Sequence, residues 1–263
     1  MNREKIKSTL LTALEEGGKI LKAHFGERII VAKKSELSLV TAADHESEKC
    51  ILGIIRHEFP DHAILAEESD AQGNSASRWI VDPLDGTTNY AHTYPVACVS
   101  IAYEEKGVVE LGGVFDPFRN ELFFAERGRG ATLNSAPIVV SHNPTLSESL
   151  LATGFPYDRR ERADEYLPIF KDFMMKVHGL RRCGAAAIDL CYVACGRYDG
   201  YWEMKLQPWD KAAAGLIVIE AGGSLSNFSG EPLTLEDTQN VASNGFIHRE
   251  MLEILKPYQN VGK

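Results

Sequence analysis

The stretch RWIVDPLDGTTNY, residues 78–90, restricts the chain more than any other. It begins as an apolar strand, which needs burial, and ends in two aspartates, Asp82 and Asp85, spaced around Pro83. Carboxylates crowded at the end of a buried strand repel each other unless positive charge lies between them. Pro83 stiffens the turn, and Asp85 can open a helix whose first turn holds Gly86, Thr87 and Thr88. Free backbone N–H groups at such a start attract anions, and glycine allows close approach. Two readings stand at this point: a capped turn, which Asp-Gly-Thr commonly forms, or part of a site for cations and phosphate.

The rest of the chain supplies the frame. MNREKIKSTLLTALEEGGKILKAHF has apolar residues at helical spacing with charges throughout, an amphipathic helix and not a signal peptide. RIIVAKK reads as a short strand, and VTAADHESEKCILGIIRHEFP carries Thr41 and Asp44 into a second amphipathic helix that ends before Pro60. HAILAEES and RWIVDP read as strands, and the segment from Val96 to Asn134 as a meander of antiparallel strands. From Leu150 strand-like SLLATGFP, HGLRRCG and YDGYWEM alternate with helical RADEYLPIFKDFMMKV, AAAIDLCYVACGR and WDKAAAGLIVIEAGG. The expectation is a layered α/β (α+β) fold: an antiparallel-sheet half over residues 1–145 and a mixed or parallel half over 146–263, with SHNPTLSES at the boundary.

Composition removes several function classes. A net charge of −9 argues against a nucleic-acid polyanion as main ligand. A phosphorylated ligand would instead need metal ions or backbone donors to offset repulsion. The greasiest pieces are too short and interrupted to span a membrane, so a cytoplasmic location is expected by default. The cysteines, Cys50, Cys98, Cys183, Cys191 and Cys195, are odd in number and lack CxxC spacing, so no disulfide framework is implied. Cys191 and Cys195 could share a helix face as soft-metal ligands, but free cysteine is commonly a small core residue.

Further acids stand at strand ends and helix starts: Glu67 and Glu68, then Asp210. Gathered with Asp82 and Asp85, they would suit hard divalent cations, which take oxygen ligands and bridge substrate phosphates. Such acids beside backbone phosphate donors describe a centre for phosphoryl transfer or phosphate hydrolysis. Competing motifs are missing. The twelfth residue from Asp82 is Thr93, not the glutamate of a calcium loop. No P-loop or G-x-S-x-G elbow occurs, and GRGATLN lacks the third glycine of a dinucleotide fingerprint.

Taken together the segments resemble the inositol monophosphatase family. WIVDPLDGTTNY resembles its first signature, D-P-[IL]-D-G-T-[ST]-N, and PWDKAAAGLIVIEAGG its second, W-D-x-A-A-G followed by E-A-G-G. LVTAADHESE and AEES are similar to its V-T-x-x-D and [GT]-E-E-S segments, and the likeness runs from about Val40 to Gly223. The resemblance implies an αβαβα sandwich and two to three Mg²⁺ ions. One would be held by Glu67, Asp82 and the backbone carbonyl of Leu84, a second by Asp82, Asp85 and Asp210. A third, weaker ion is implied near Glu67, and Asp44 and Thr87 stand as the pair beside the water. The implied reaction is in-line attack on phosphorus by a metal-activated water that Glu67, Thr87 and Asp44 orient, with Gly86 and Thr87 N–H groups on the phosphate.

The implied substrate is myo-inositol monophosphate, a small phosphate ester, with Asp85, Gly86, Thr87, Ala186, Glu203 and Asp210 as contacts. Glu203 stands seven residues before Asp210, at the family's spacing for a ring-hydroxyl contact; read from pattern alone, it is a solvent-facing strand glutamate. The Gly184–Ala187 segment would form another wall. Alternatives are fructose 1,6-bisphosphate or another sugar, histidinol or nucleotide phosphate, or a regulatory protein contacting the transcription machinery. Inhibition by Li⁺ and a homodimer also follow from the resemblance. His92 reads as a helix-end polar residue, Trp79 and Trp209 as core anchors, and Arg181 and Arg182 as phosphate contacts or an exposed strand end.

Overall fold

In the computed structural model the described residues are 3–26, 32–33 and 39–262. Helix α1 (Arg3–His24) leads through short strands β1 (Ala32–Lys33) and β2 (Leu39–Val40) to α2 (Ala42–Glu58). Strands β3 (Ala63–Ala66) and β4 (Ser77–Asp85) and the short α3 (Thr87–Ala91) follow. The meander is β5 (Cys98–Glu105), β6 (Val108–Asp116), β7 (Glu121–Glu126), β8 (Ala131–Leu133) and β9 (Ala136–Ile138). After it come β10 (Leu150–Thr153), α4 (Ala163–Met174), β11 (Gly179–Arg181), α5 (Ala186–Ala194), β12 (Gly200–Met204) and α6 (Pro208–Glu220). Strands β13 (Ser224–Ser226) and β14 (Gln239–Ser243) and helix α7 (His248–Leu255) complete the elements used below.

Side-chain alternation along the strands builds five layers. Trp79, Val81, Val99 and Ile101 face α1 and α2, where Ile6, Leu10, Leu14, Ile51 and Ile55 close the first core. Ile80, Ala102, Val114 and Phe123 point the opposite way, onto the small-residue faces of α5 and α6. The five-stranded sheet β11-β10-β12-β14-β13 covers the far side of those helices through Ala152, Tyr201 and Ala242. Its outer face carries Leu151, Trp202 and Val241 against α4 and α7. Helix, seven-stranded sheet, helix pair, five-stranded sheet, helix: this is the αβαβα sandwich expected.

The close approach between layers needs missing side chains. A Cβ on Gly112 would lie 2.6 Å from the backbone oxygen of Ala213 in α6. On the opposite face, one on Gly113 would lie 2.5 Å from a Leu14 methyl of α1. Adjacent glycines on β6 thus let one helix settle on each side of the sheet.

One strand expectation lies mostly outside the described residues, and two details differ from the sequence expectation. Of RIIVAKK only Ala32–Lys33 fall among the described residues, as β1 paired antiparallel with β2. Within the seven-stranded sheet β3 and β4 run parallel. Gln72 first doubles back beside Ile64 in a two-way backbone pair, and the chain crosses over before entering β4. Asp85 is the last residue of β4 and not a helix cap: β4 continues past Pro83, with a register shift between Asp82 and Asp85. Proline brings no N–H to the ladder, so Pro83 and Leu84 bulge and the pairing resumes at Asp85 with Cys98. Gly86, in the left-handed region at φ 92°, caps α3.

At the far edge His248 joins the last two strands, its Nε2 2.9 Å from Ser226 Oγ and its Nδ1 2.9 Å from Ser243 Oγ. Burial holds its pKa below the ordinary value of 6.5. The folded state therefore takes up this proton less readily than the unfolded chain. Its stabilising contribution is complete above about pH 6.5 and is lost as pH falls further. His248→Gln is expected to flatten part of the drop in thermal midpoint between about pH 7 and 5; an unchanged slope would remove His248 from the acid response.

Candidate metal and phosphate site

Three parts of the chain bring the acids together. The face of β4 that carries Ile80 also carries Asp82 toward α6, whose first turn holds Asp210. The chain leaving β3 supplies Glu67, whose N–H donates to Val81 O at 3.2 Å. Glu67, Asp82, Leu84, Asp85, Gly86, Thr87 and Asp210 all line one cavity of about 490 Å³, and Gly184, Ala186 and Glu203 line it too. A second hollow of about 620 Å³ runs along α1 and α2, lined by Ile20, Lys49, Cys50 and His57 among others. Apart from Cys50 it contains none of the residues singled out in the sequence, and no candidate site residue.

Each aspartate is tethered from behind. Leu84 N–H donates to Asp82 Oδ1 at 3.0 Å, and Ala187 N–H to Asp85 Oδ2 at 2.7 Å. Gln207 N–H donates to Asp210 Oδ2 at 2.7 Å, so Asp210 caps the start of its own helix. Asp44 does the same for α2. Its Oδ2 accepts from Thr41 N–H at 2.8 Å and from the Thr41 hydroxyl at 2.5 Å. The other oxygen accepts from Thr87 Oγ1 at 3.1 Å, which joins residues 43 apart in the chain. Asp44 is fully buried and lies behind the cavity lining, not in it.

The electrostatics are those of an uncompensated cluster. Asp82 is 1% exposed. Burial first, then Glu67, Asp85 and Asp210, push its carboxyl well above the usual range. Burial, with Glu67 adding to it, moves Asp85 up to about 6, and burial with Asp85 raises Asp210 strongly. Among the described residues no three His, Cys, Asp or Glu side chains stand ready-made around one ion position. The carboxylates line a common wall instead, with Asp82 bonded to the Glu67 carboxyl. Hard oxygen donors that repel one another fit divalent cations such as Mg²⁺, which would draw them inward.

Glu203 is no solvent-facing strand residue. It lines the cavity, its Oε2 accepts from the Tyr201 hydroxyl, and burial pushes its carboxyl up to about 7. The wall at Gly184–Ala187 divides: Gly184 and Ala186 line the cavity, while Ala185 and Ala187 are buried. Asn89 of α3 fixes that wall, donating to Cys183 O at 2.8 Å. Arg182 lines the cavity and Arg181 lies exposed on β11. His92 forms the C-cap of α3 and Trp79 is a core anchor, but half-buried Trp209 reaches the cavity. The five cysteines are free.

Phe155, Pro156, Tyr157, Asp158 and Arg159, which sequence reasoning did not place in the site, line the cavity from the loop after β10. The one local signal is a strand that breaks at Gly154-Phe155-Pro156, which marks a loop and not its role. Lys205 also lines the cavity and pairs with Asp158.

The fold class is that of solved phosphatases. The inositol monophosphatase of Anabaena (Nostoc) sp. superposes with a TM-score of 0.88, covering 98% of this chain and 97% of that one at 43% identity. The sequence profile of the inositol monophosphatase family matches residues 2–260. The chain belongs to that family, whose members are phosphatases and generally depend on metal ions. Similar curated proteins include the inositol-1-monophosphatase of Synechocystis sp., 51% identical over 219 residues, 82% of this chain and 76% of that protein. Another is the Nus factor SuhB of Pseudomonas aeruginosa, 42% identical over 236 residues, 88% of this chain and 87% of that protein. Among the described residues no helix is long and apolar enough to cross a membrane.

Proposed function

We propose that the protein is a Mg²⁺-dependent phosphomonoesterase that hydrolyses myo-inositol monophosphate to inositol and phosphate. The observation that carries this reading is one cavity lined both by Glu67, Asp82, Leu84, Asp85 and Asp210 and by Glu203. Bound at those oxygens, divalent cations would supply charge neutralisation and a lowered water pKa. Backbone N–H groups of Gly86 and Thr87 hold the phosphate oxygens. Thr87, whose hydroxyl is oriented by Asp44 Oδ1 and Leu84 O, positions the attacking water together with Glu67. Asp44, buried and doubly bonded to Thr41, fixes that hydroxyl. Glu203 and Ala186 meet the polyol ring. Inhibition by Li⁺, a homodimer, a cytoplasmic location and a division of the chain near residue 145 belong to the same reading.

The test is phosphate release from inositol 1-phosphate and fructose 1,6-bisphosphate, with Mg²⁺ and after chelation by EDTA. Turnover of the monophosphate that disappears on chelation is expected, and a clear preference for the bisphosphate would overturn the substrate assignment. The relative named as a Nus factor supports a second role, contact with the transcription machinery. A variant without phosphatase activity that still sustains that role would separate the two.

A further inference from the structure

Glu203 occupies a seat that the chain has cleared for it. Its strand, β12, lies parallel to β10 with Thr153 beside Trp202, so Gly154 falls next to Glu203 just past the end of β10. A Cβ on Gly154 would lie 2.1 Å from both Glu203 carboxylate oxygens. Gly154 is not among the residues with positive φ, so its lack of a side chain answers to space and not to backbone angle. Tyr201, two residues before Glu203 on the same strand face, is fully buried and spends its hydroxyl on Glu203 Oε2. Thr153 Oγ1 donates to Trp202 O at 2.7 Å and fixes the two strand ends together.

We propose that Gly154 and Tyr201 are specificity-determining positioning residues: the gap at Gly154 and the Tyr201 hydroxyl hold the Glu203 carboxylate back against the cavity wall, which leaves room for a ring bearing several hydroxyls and aims the carboxylate at them. This rests on reading the cavity as a polyol-phosphate site. The physical consequence is specific. The three atoms nearest a methyl group at position 154 are the far end of the Glu203 side chain, so the carboxylate gives way before the backbone does and swings into the substrate's space. Loss of the Tyr201 hydroxyl leaves the ring packed and the carboxylate without its fixed partner.

The experiment compares wild type, Gly154→Ala, Tyr201→Phe and Glu203→Gln at saturating Mg²⁺ on two esters. These are inositol 1-phosphate and p-nitrophenyl phosphate, which presents no ring hydroxyl. Gly154→Ala and Tyr201→Phe are each expected to raise KM for inositol 1-phosphate about 5-fold with kcat little changed, so that preference over the aryl ester falls by the same factor. Neither should add to the loss already caused by Glu203→Gln when the substitutions are combined. Equal losses on both esters, or additive losses in the double variants, would overturn the proposal. So would a Glu203→Gln variant that loses the preference while Gly154→Ala and Tyr201→Phe keep it, and that result leaves the polyol reading intact. If Glu203→Gln changes neither ester and the wild type shows no preference, the polyol reading falls and the proposal with it. Should Gly154→Ala fold poorly, Tyr201→Phe carries the same comparison alone.

Discussion

Asp82→Asn is expected to lower phosphate release from inositol 1-phosphate by roughly 1000-fold or more while the protein stays folded. The amide keeps the shape of the side chain, and its oxygen can still accept from Leu84 N–H, the bond seen at 3.0 Å. What it removes is one negative charge from a cluster in which burial, Glu67, Asp85 and Asp210 all disfavour ionisation of Asp82. Without metal the variant should therefore be at least as stable as the wild type. With saturating Mg²⁺ the wild type gains thermal stability by mass action, and the variant should gain much less. Both thermal midpoints and the phosphate assay are needed: full activity, or an undiminished Mg²⁺-dependent rise, removes Asp82 from the metal site.

Gly112→Ala is expected to destabilise the protein by about 3 kcal/mol, a fall in thermal midpoint of roughly 6–12 °C. The added carbon would lie 2.6 Å from Ala213 O and 2.9 Å from Ala213 Cα, both helix backbone, so α6 itself must retreat. Asp210 sits three residues before Ala213 on that helix, and activity should fall with stability. Gly113→Ala is the control. Its neighbours are methyl ends of Leu14 and Leu10, which can rotate, so the loss should be clearly smaller. Equal midpoints for the two variants would show that the α6 backbone can yield.

Much of this architecture is local and was therefore readable. The meander, α2 with Thr41 before it, and the alternation after Leu150 follow from turn residues and hydrophobic period. The parallel β3–β4 pair was not, because direction is decided by a crossover and not by the four residues of β3. The end of β4 was misplaced because Pro83 signals a break, whereas the sheet absorbs it as a bulge. Beyond Gly223 the short β13 and β14 carry little local pattern and gain their meaning only by pairing, β14 with β12 and β13 with β14.

Within the site, the acids at strand and helix ends were visible as residue types. The bond between Asp44 and Thr87 was available only through resemblance, since no local pattern links positions so far apart. The orientation of Glu203 was invisible in any pattern. It depends on Gly154, which belongs to a neighbouring strand and is defined by what it lacks.

The backbone tethers behind Asp44, Asp82, Asp85 and Asp210 have a consequence for selectivity. Each aspartate yields one oxygen to a fixed N–H and keeps the other oriented, so its rotamer is settled when the chain folds. An incoming cation would have little side-chain entropy left to remove. It would also meet a frame of limited give. The carboxylates would close on an ion only as far as those tethers reach, so a cation that asks for a larger displacement must break bonds that belong to the helix starts and the strand bulge.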